Sequence, residues 1–379
     1  MNIEAALKSR RSRLSRRVLI LGGYGNFGSR IAQTLAASQI GVIIAGRNLS
    51  KAEALAASLG STAHAAYVNA NEPIDQLLKQ LKPFVVIHCC GPFQNADYHI
   101  ANACITSGIH YIDLADARDF VCGITALDTQ AKAKRLCVIS GASTVPALSS
   151  AVIEHYGKDF SQIESVMYGI SPGQKSPRGL ATTQSILSYL GKAMKPAADD
   201  VKPRYGWQDL YRQRYPLLGM RWMANCDIPD FDLFPARYSI RHIRFSAGME
   251  NGLLHLSMWL TGWLIRLGLP LQLTRHASAL LRISTLFDRF GSDRGGMHVV
   301  MHGRNQKGMP HEQSWFIIAS NGDGPQIPCV PAIILAKKLV AGEAVQPGAQ
   351  PCMGMITLDE YLAELTPFAV NVFDTAPNA

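Results

Sequence analysis

The feature that most constrains this fold is a glycine pattern near the amino terminus. The pattern Gly-x-Gly-x-x-Gly is formed by Gly23, Tyr24, Gly25, Asn26, Phe27 and Gly28. It follows a short apolar run at 17–21 and precedes a segment at 29–37 with apolar residues at helical spacing. A strand, a glycine turn and a helix in this order are typical of the phosphate-binding corner of a dinucleotide-binding unit. The three glycines would permit, in order, a tight turn, close approach of a pyrophosphate, and close packing of the helix.

Strand-like and helix-like segments alternate through the first 145 residues. The predicted strands are 17–21, 41–45, 65–68, 84–88, 110–114 and 136–140. The predicted helices are 29–37, 51–60, 73–81, 98–107 and 120–134. Ser50 and Glu53 match a capping box, so we expect the second helix to begin just after Ser50. The alternation predicts an α/β protein with an amino-terminal Rossmann domain, built on a doubly wound parallel sheet.

The end of the second predicted strand indicates which dinucleotide this domain binds. NAD-specific sites place Asp or Glu there, where the carboxylate accepts a hydrogen bond from the ribose 2′-hydroxyl. This chain has Arg47 at that position, followed by Asn48 and Ser50, and the first nearby acid is Glu53. Because a guanidinium pairs with phosphate, the sequence favours NADP over NAD as the cofactor. The alternative is that Arg47 is an ordinary surface arginine.

Two more loops are expected at the same edge of the sheet. Cys90, Gly91 and Pro92 follow the fourth predicted strand. Since parallel strands end together at the edge where the cofactor binds, we expect these residues near the nicotinamide. The candidate proton donors within loop reach of that edge are Tyr98, His99 and Asp116. Spacing selects none of them, and each could have a purely structural role.

Six segments resemble the saccharopine dehydrogenase-like (saccharopine reductase-type) oxidoreductases. They read GGYGNFGSRIA, IIAGRNLSKAEALA, VVIHCCGPFQ, ANACITSGIHYIDLAD, GASTVPALSSAVIE and PAIILAKKLVAGEAVQPGAQPCMGMITLDEYLAEL. The resemblance implies an NADP-binding Rossmann domain, an inserted substrate and dimerisation domain, and a chain end that returns to the first domain. It implies an oxidoreductase without fixing the substrate. Ala115-Asp116 replaces a Gly-Glu pair of many relatives, which argues against saccharopine itself.

These observations predict four parts of the chain. They are a basic flexible tail (1–16), an NADP-binding Rossmann domain (17–155), an inserted α+β domain for substrate binding and dimerisation (156–325), and a carboxyl-terminal segment that returns to the Rossmann domain (326–379). In the inserted domain we expect a helix over 181–190 and a hairpin of strands 297–302 and 314–319 with a long loop. A helix over 332–341, ended by Gly342, is expected in the last part.

Charge and cysteine content exclude several classes of protein. The chain carries a net charge of +9, but residues 1–17 alone hold six basic residues against one acid. The remainder is close to neutral, so we expect no specific nucleic-acid partner. We expect the basic tail to be solvated or to touch phosphate or anionic lipid. The apolar run at 18–22 is too short for a secretory signal, so we expect a cytoplasmic protein. No C-x-x-C or H-E-x-x-H pattern occurs, and we expect no metal site.

A long apolar segment lies in the middle of the chain, at 252–273. Its sequence is GLLHLSMWLTGWLIRLGLPLQL, and no acid occurs anywhere in 251–287. A membrane span is not favoured because His255, Arg266 and Pro270 interrupt the run. Three settings stay open: a homodimer interface, a wall over a hydrophobic substrate, and a peripheral contact with the inner face of a membrane.

Two functions from different classes fit the sequence. The first is an NADP-dependent oxidoreductase that transfers hydride between nicotinamide and an unidentified small or lipid-like substrate. The alternative is a non-catalytic NADP-binding module that senses redox state or docks to a membrane or partner. A short-chain dehydrogenase mechanism is not supported, because no tyrosine of the chain has a lysine four residues later.

Overall fold

The computed structural model describes residues 16–197 and 202–375. The chain divides into two compact units: the first runs to residue 148 and includes 326–364, and the second takes 149–325 and the chain from 365 onward. The expected flexible tail lies outside the described residues except for Arg16. The Arg16 guanidinium donates a hydrogen bond to the Val340 carbonyl oxygen (2.9 Å) and lies over the Phe84 ring. Arg16 is therefore part of the packed first unit and not of a flexible tail.

Fourteen strands and thirteen α-helices lie within the described residues. The strands are β1 (Val18–Leu21), β2 (Val42–Gly46), β3 (Ala63–Tyr67), β4 (Val85–His88), β5 (His110–Asp113), β6 (Cys137–Ser140), β7 (Phe160–Ser171), β8 (Tyr211–Tyr215), β9 (Gly219–Asn225), β10 (His242–Met249), β11 (Gly295–Asn305), β12 (Pro310–Ala319), β13 (Gly348–Pro351) and β14 (Val370–Thr375). The helices are α1 (Asn26–Ala37), α2 (Leu49–Leu59), α3 (Asp75–Leu81), α4 (His99–Ser107), α5 (Arg118–Gly123), α6 (Asp128–Ala133), α7 (Ser149–Tyr156), α8 (Leu180–Tyr189), α9 (Asp230–Tyr238), α10 (Gly252–Arg266), α11 (Ala277–Thr285), α12 (Val330–Ala341) and α13 (Leu358–Leu365).

The first unit is built on a seven-stranded, entirely parallel sheet in the order β13-β6-β5-β4-β1-β2-β3. Strands β1, β2, β4 and β6 are buried along their whole length. Their continuous apolar sequences suit a sheet covered on both faces, because no strand then needs a polar side. The strand order reverses between β1 and β4, so the loops after these strands diverge there. The predicted α/β class with a doubly wound Rossmann sheet is confirmed.

Two local predictions for the first unit are wrong, and one strand was not predicted. Helix α2 begins at Leu49 because the Asn48 side chain, not that of Ser50, accepts the capping hydrogen bond from the Lys51 backbone N–H (3.0 Å). The expected helix over 120–134 is broken into α5 and α6 by a tight helical turn at Ile124–Leu127. Strand β13 was not predicted, since a four-residue segment containing glycine and proline has no β-like pattern.

The second unit contains a mixed seven-stranded sheet in the order β14-β12-β11-β7-β10-β9-β8. Only β7 and β10 pair in parallel. The predicted hairpin is present as β11 and β12, but its expected long loop is wrong. The strands continue through the pair Arg304 and Pro310, which leaves a four-residue connection. The extension was not predicted because exposed polar residues such as His302 and Glu312 interrupt the apolar pattern by which strands are recognised in a sequence.

The carboxyl-terminal segment is divided between the two units. Helix α12 buries most of its residues in the first unit and ends at Gly342, whose φ of +77° favours glycine. Strand β14 instead pairs with β12 in the second sheet, so the expected return of all of 326–379 holds only to residue 364. The physical reason is that β14 pairs backbone groups of β12 that would otherwise form an open sheet edge. Residues 149–155, expected in the first domain, belong to the second unit.

Candidate dinucleotide site

The glycine turn after β1 is closed by backbone contacts. A Cβ placed on Gly28 would lie 2.3 Å from the Gly22 carbonyl oxygen and 2.8 Å from the Gly23 Cα. Real Cβ atoms essentially never approach so closely, and the obstacle is backbone, which cannot move aside without opening the turn. Gly22 itself has a φ of +74°, a left-handed conformation that glycine adopts without strain. The turn and the first helix are therefore locked together only because these positions lack side chains.

The start of α1 is suited to an anion. Gly25 is the N-cap residue, is exposed, and supplies no capping side chain, while no acid lies in the first turn. The amide groups of a helix's first turn point outward along the helix axis and favour a negative charge. The Arg30 guanidinium donates to the Asn26 side-chain oxygen (2.7 Å), which keeps a further positive charge near this end. Sequence reasoning missed Arg30, although its position one turn after Asn26 could have indicated it.

Tyr24 connects the glycine turn to the loop after β2. Its hydroxyl accepts a hydrogen bond from the Asn48 backbone N–H (2.9 Å). Its ring lies against Gly46, where an added Cβ would meet the ring at 2.5 Å. Arg47 and Asn48 are exposed in this loop, and Ser50 is exposed in the first turn of α2; no acid occurs between residues 46 and 52. The hydrogen bond to Tyr24 thus holds the Arg47 loop beside the glycine turn, with no acid within the loop itself.

The loop after β4 lies beside the same turn. The Cys90 Sγ atom would be 3.0 Å from a Cβ placed on Gly22. Burial raises the pKa of the Cys90 thiol to about 11, although the positive charge of Arg47 acts in the opposite direction. Cys90 is therefore a neutral thiol at neutral pH and presents a weakly polar surface. Gly91 and Pro92 follow it and are joined by a cis peptide bond.

A buried polar network that sequence reasoning missed joins the ends of β4, β5 and β6. The His88 Nδ1 atom lies 3.0 Å from the Tyr111 hydroxyl. The Asp113 carboxylate accepts hydrogen bonds from the backbone N–H groups of Ala115 (3.0 Å) and Gly141 (2.9 Å) and from the Ser140 hydroxyl (2.9 Å). The available signal was a polar residue at or next to the end of a predicted strand, His88 in 84–88 and Asp113 in 110–114.

Burial shifts both titratable ends of this network. It raises the pKa of Asp113 to about 6, against the stabilising effect of the hydrogen bonds that the carboxylate accepts. Burial, with a smaller contribution from His99, lowers the pKa of His88 to about 3, so its imidazole is neutral at physiological pH. Asp113 fixes the loop that carries Asp116, because it holds the N–H of the preceding residue.

The three candidate proton donors have different surroundings. The Tyr98 hydroxyl donates to the Phe120 carbonyl oxygen (2.6 Å), and the two rings are in contact. His99 has its Nε2 atom 2.9 Å from the Ala70 carbonyl oxygen and its Nδ1 atom against the Asp97 carboxylate. Tyr98 and His99 thus have structural contacts that occupy their polar atoms. Asp116 is exposed, with the Gln94 side-chain amide at the limit of hydrogen-bonding distance (3.5 Å).

Within 16–197 and 202–375, no group of three His, Cys, Asp or Glu side chains is arranged to hold a metal ion. All eight cysteines lie in this part of the chain, and each of them is a free thiol.

Comparisons with known proteins agree with this geometry. Residues 18–146 match the family described as the saccharopine dehydrogenase NADP binding domain. The chain is similar in structure to apo saccharopine dehydrogenase (L-Glu forming) from Saccharomyces cerevisiae, with a TM-score of 0.64, 14% identity, and coverage of 95% of this chain and 100% of that one. This likeness shows a shared fold. An amine dehydrogenase from Mycobacterium smegmatis gives a TM-score of 0.45 at 12% identity, over 88% of this chain and 94% of that one. No curated protein matches the sequence.

The family match and the glycine turn identify the kind of domain that the first unit contains. It is an NADP-binding domain of the saccharopine dehydrogenase type. The predicted resemblance to the saccharopine dehydrogenase-like family and the predicted NADP cofactor are confirmed for this domain.

Proposed function

We propose that this protein transfers hydride between NADP(H) and a small or lipid-like organic substrate. The proposal is supported by three features that lie together: the closed glycine turn, the start of α1 without a capping side chain, and the exposed Arg47 loop. We call this place the junction. When bound, the nicotinamide supplies or accepts the hydride. The protein's own part is to hold the cofactor, orient the substrate and move a proton.

Each side of the junction suits one part of the cofactor. The backbone from Gly23 to Gly28 would hold the pyrophosphate, since a helix start without a capping side chain offers its amides to an anion. Arg47 would bind the 2′-phosphate with a charge-assisted hydrogen bond. Tyr24, Asn48 and Ser50 would shape the adenine side of the site. Cys90, Gly91 and Pro92 would face the nicotinamide side, with Cys90 acting as a neutral surface and not as a nucleophile.

Asp116 is the proton-transfer candidate that the contacts favour. Asp116 is an exposed residue, while Tyr98 and His99 have their polar atoms in structural hydrogen bonds. A group that donates or accepts a proton must be able to reach the substrate oxygen or nitrogen. Asp113 would act as a positioning residue, because it anchors the backbone immediately before Asp116.

The test combines cofactor binding with turnover. Calorimetric titration should give tight, stoichiometric NADPH binding and much weaker NADH binding. NADPH oxidation should then be followed with a panel of keto acids, aldehydes and imines, including long-chain members. The imines are formed in the assay from a carbonyl compound and an amine. Turnover on any member identifies the substrate class. Stoichiometric NADPH binding without turnover of any member of the panel would contradict the proposal and favour a non-catalytic NADP-binding module.

A further inference from the structure

Helix α10 of the second unit turns a row of leucines toward solvent. We call this row the leucine face: Leu253, Leu256, Leu260, Leu264 and Leu267, the last immediately after the helix. All five are exposed, up to 77% at Leu267. Their spacing of three and four residues places them on one side of the helix. His255 and Gly262, on the opposite side, are buried. The helix therefore shows its most apolar side to the surroundings, the reverse of an ordinary surface helix.

Apolar exposure continues in the chain that follows. Leu269 and Leu271 are exposed in the connection to α11, and Ile283, Leu286 and Phe290 are exposed on and just beyond that helix. The inner sides of α10 and α11 pack on one core cluster that contains Trp207 and Ala277. The helices are thus anchored in the second unit, while the apolar side chains on their outer sides are exposed. Apolar exposure on this scale is typical of an interaction surface.

The charges along the segment 251–287 have a single sign. No Asp or Glu occurs in 251–287, while Arg266, Arg275 and Arg282 are all exposed. The Arg266 guanidinium lies over the rings of Tyr205 and Trp263, which holds it beside the helix. Exposed leucines, with arginines as the only charged residues of the segment 251–287, fit an apolar partner with an anionic border.

A second copy of this chain fits the surface less well. In a two-fold symmetric dimer each patch meets its own copy, so residues of one surface face residues of the same surface. Arg275 and Arg282 would then meet arginines with no acid from the same segment to offset them. Like charges brought together in this way oppose association. The charge pattern therefore favours an anionic partner over self-association.

We propose that the leucine face, with Arg275 and Arg282, is a docking surface for an anionic lipid bilayer. The helix would lie in the plane of the membrane, with its leucines at the boundary between headgroups and acyl chains and its arginines at lipid phosphates. None of the helices in 16–197 and 202–375 has the length and the apolar character of a membrane span. This inference does not depend on the reaction that the first unit performs.

Vesicle flotation of the full chain tests the proposal. The protein should float with vesicles of phosphatidylcholine and phosphatidylglycerol, much less with phosphatidylcholine alone, and less as salt is added. Leu260→Glu with Leu264→Glu should abolish flotation. Arg275→Glu with Arg282→Glu should weaken partitioning about 25-fold or more, since each arginine near an anionic surface contributes about fivefold.

Matched controls lie elsewhere on the second unit. Leu217→Glu changes an exposed leucine and Arg241→Glu an exposed arginine, both outside the proposed surface. Both should float like the wild type. Thermal unfolding of every variant should match the wild type, because all the altered side chains are exposed. If a leucine-face variant unfolds at a lower temperature than the wild type, Leu253→Ser with Leu260→Ser is used in its place. This milder double variant should also reduce flotation.

Three results would overturn the proposal. The first is failure of the wild type to float with anionic vesicles. The second is equal flotation of the surface variants and the wild type. The third is a wild-type dimer, seen by light scattering, that Leu260→Glu with Leu264→Glu converts to monomer while vesicles are ignored. That result would assign the surface to a second copy of the chain.

Discussion

The backbone N–H of Asn48 donates a hydrogen bond to the Tyr24 hydroxyl (2.9 Å), which ties the loop carrying Arg47 to the glycine turn. The same Asn48 caps α2 with its side chain. Asn48 therefore fixes the start of α2. It also fixes the distance between the glycine turn, which would hold the pyrophosphate, and the Arg47 loop, which would hold the 2′-phosphate. The Tyr24 ring also lies against Gly46, so the link has an apolar part and a polar part.

Tyr24→Phe should weaken NADPH binding a few-fold while leaving the fold intact. The ring and its packing on Gly46 are kept, and only the hydrogen bond to Asn48 is lost, a contribution of about 1 kcal/mol. Calorimetric titration measures the change. Tyr67→Phe, an exposed tyrosine at the end of β3, is the control and should bind NADPH like the wild type. Unchanged affinity of Tyr24→Phe would mean that the link does not position Arg47.

Arg47→Asp should weaken NADPH binding by about 10- to 100-fold or more, the range of a lost hydrogen bond to a charged group. NADH binding should change little, because NADH has no 2′-phosphate to be repelled. Titration of both cofactors gives the ratio directly. Arg135→Asp, an exposed arginine in the loop before β6, serves as the charge control. Equal weakening of NADPH and NADH binding would show that Arg47 does not bind the 2′-phosphate.

Gly25→Val and Gly28→Ala should both lose NADPH binding, but for different reasons. Gly25 is exposed at the start of α1, where an added Cβ would lie 3.0 Å from the Gly22 carbonyl oxygen. Valine there should therefore cost less stability than a side chain at position 28, and it should abolish cofactor binding by occupying the space of the pyrophosphate. Alanine at position 28 would collide with the Gly22 carbonyl oxygen, so this variant should lose thermal stability as well as NADPH binding. Thermal unfolding without cofactor separates the two. NADPH affinity of Gly25→Val equal to that of the wild type would contradict the assignment of the site.

Asp113 should make stability depend on pH. Its pKa is about 6 in the folded chain against an ordinary value of 3.8, so the folded state holds a proton that the unfolded state has released between these values. Stability from this group is present below about pH 4 and is lost as the pH rises through 6, by about 3 kcal/mol in total. His88 acts with the opposite sign, because its lowered pKa removes stability as the pH falls below 6.5.

Comparison with Asp113→Asn isolates the carboxyl group. The asparagine oxygen can still accept from Ala115, Ser140 and Gly141, so the loops should stay in place. Denaturant unfolding between pH 4 and 7 should show the stability of the wild type falling relative to that of the variant. A constant difference between the two proteins over this range would show that Asp113 is not protonated in the folded state.

The sequence predicted what depends on local pattern and missed what depends on distant partners. The β1 run, the glycine turn and the α1 periodicity are adjacent in the chain, so the Rossmann sheet and the position of Arg47 could be predicted. The strand β13 could not, because it exists only by pairing with β6, more than 200 residues earlier. The network of His88, Tyr111 and Asp113 was missed for the same reason, since neighbouring strands bring these residues together.

For the leucine face, the local pattern could be predicted but its orientation relative to the core could not. Its helical spacing was evident from the sequence, yet the same spacing would suit a buried helix. Only the structure distinguishes the two, because it buries His255 and Gly262 and leaves the leucines outside. An amphipathic pattern gives the side on which apolar residues lie but not which side faces the core.

The last prediction separates Asp116 from Tyr98. With a substrate found in the turnover panel, Asp116→Asn should lower kcat by about 10²- to 10⁴-fold, because an amide cannot relay the proton that accompanies hydride transfer. Its NADPH affinity should stay near that of the wild type, since only the proton-transfer group has changed. Tyr98→Phe removes the hydrogen bond to the Phe120 carbonyl oxygen, so it should cost about 1 kcal/mol of stability with little effect on kcat. The pH profile of kcat should lose its carboxylate limb in Asp116→Asn and keep it in Tyr98→Phe. If Tyr98→Phe instead abolishes turnover while Asp116→Asn retains it, the hydroxyl is the proton donor and the assignment of Asp116 is wrong.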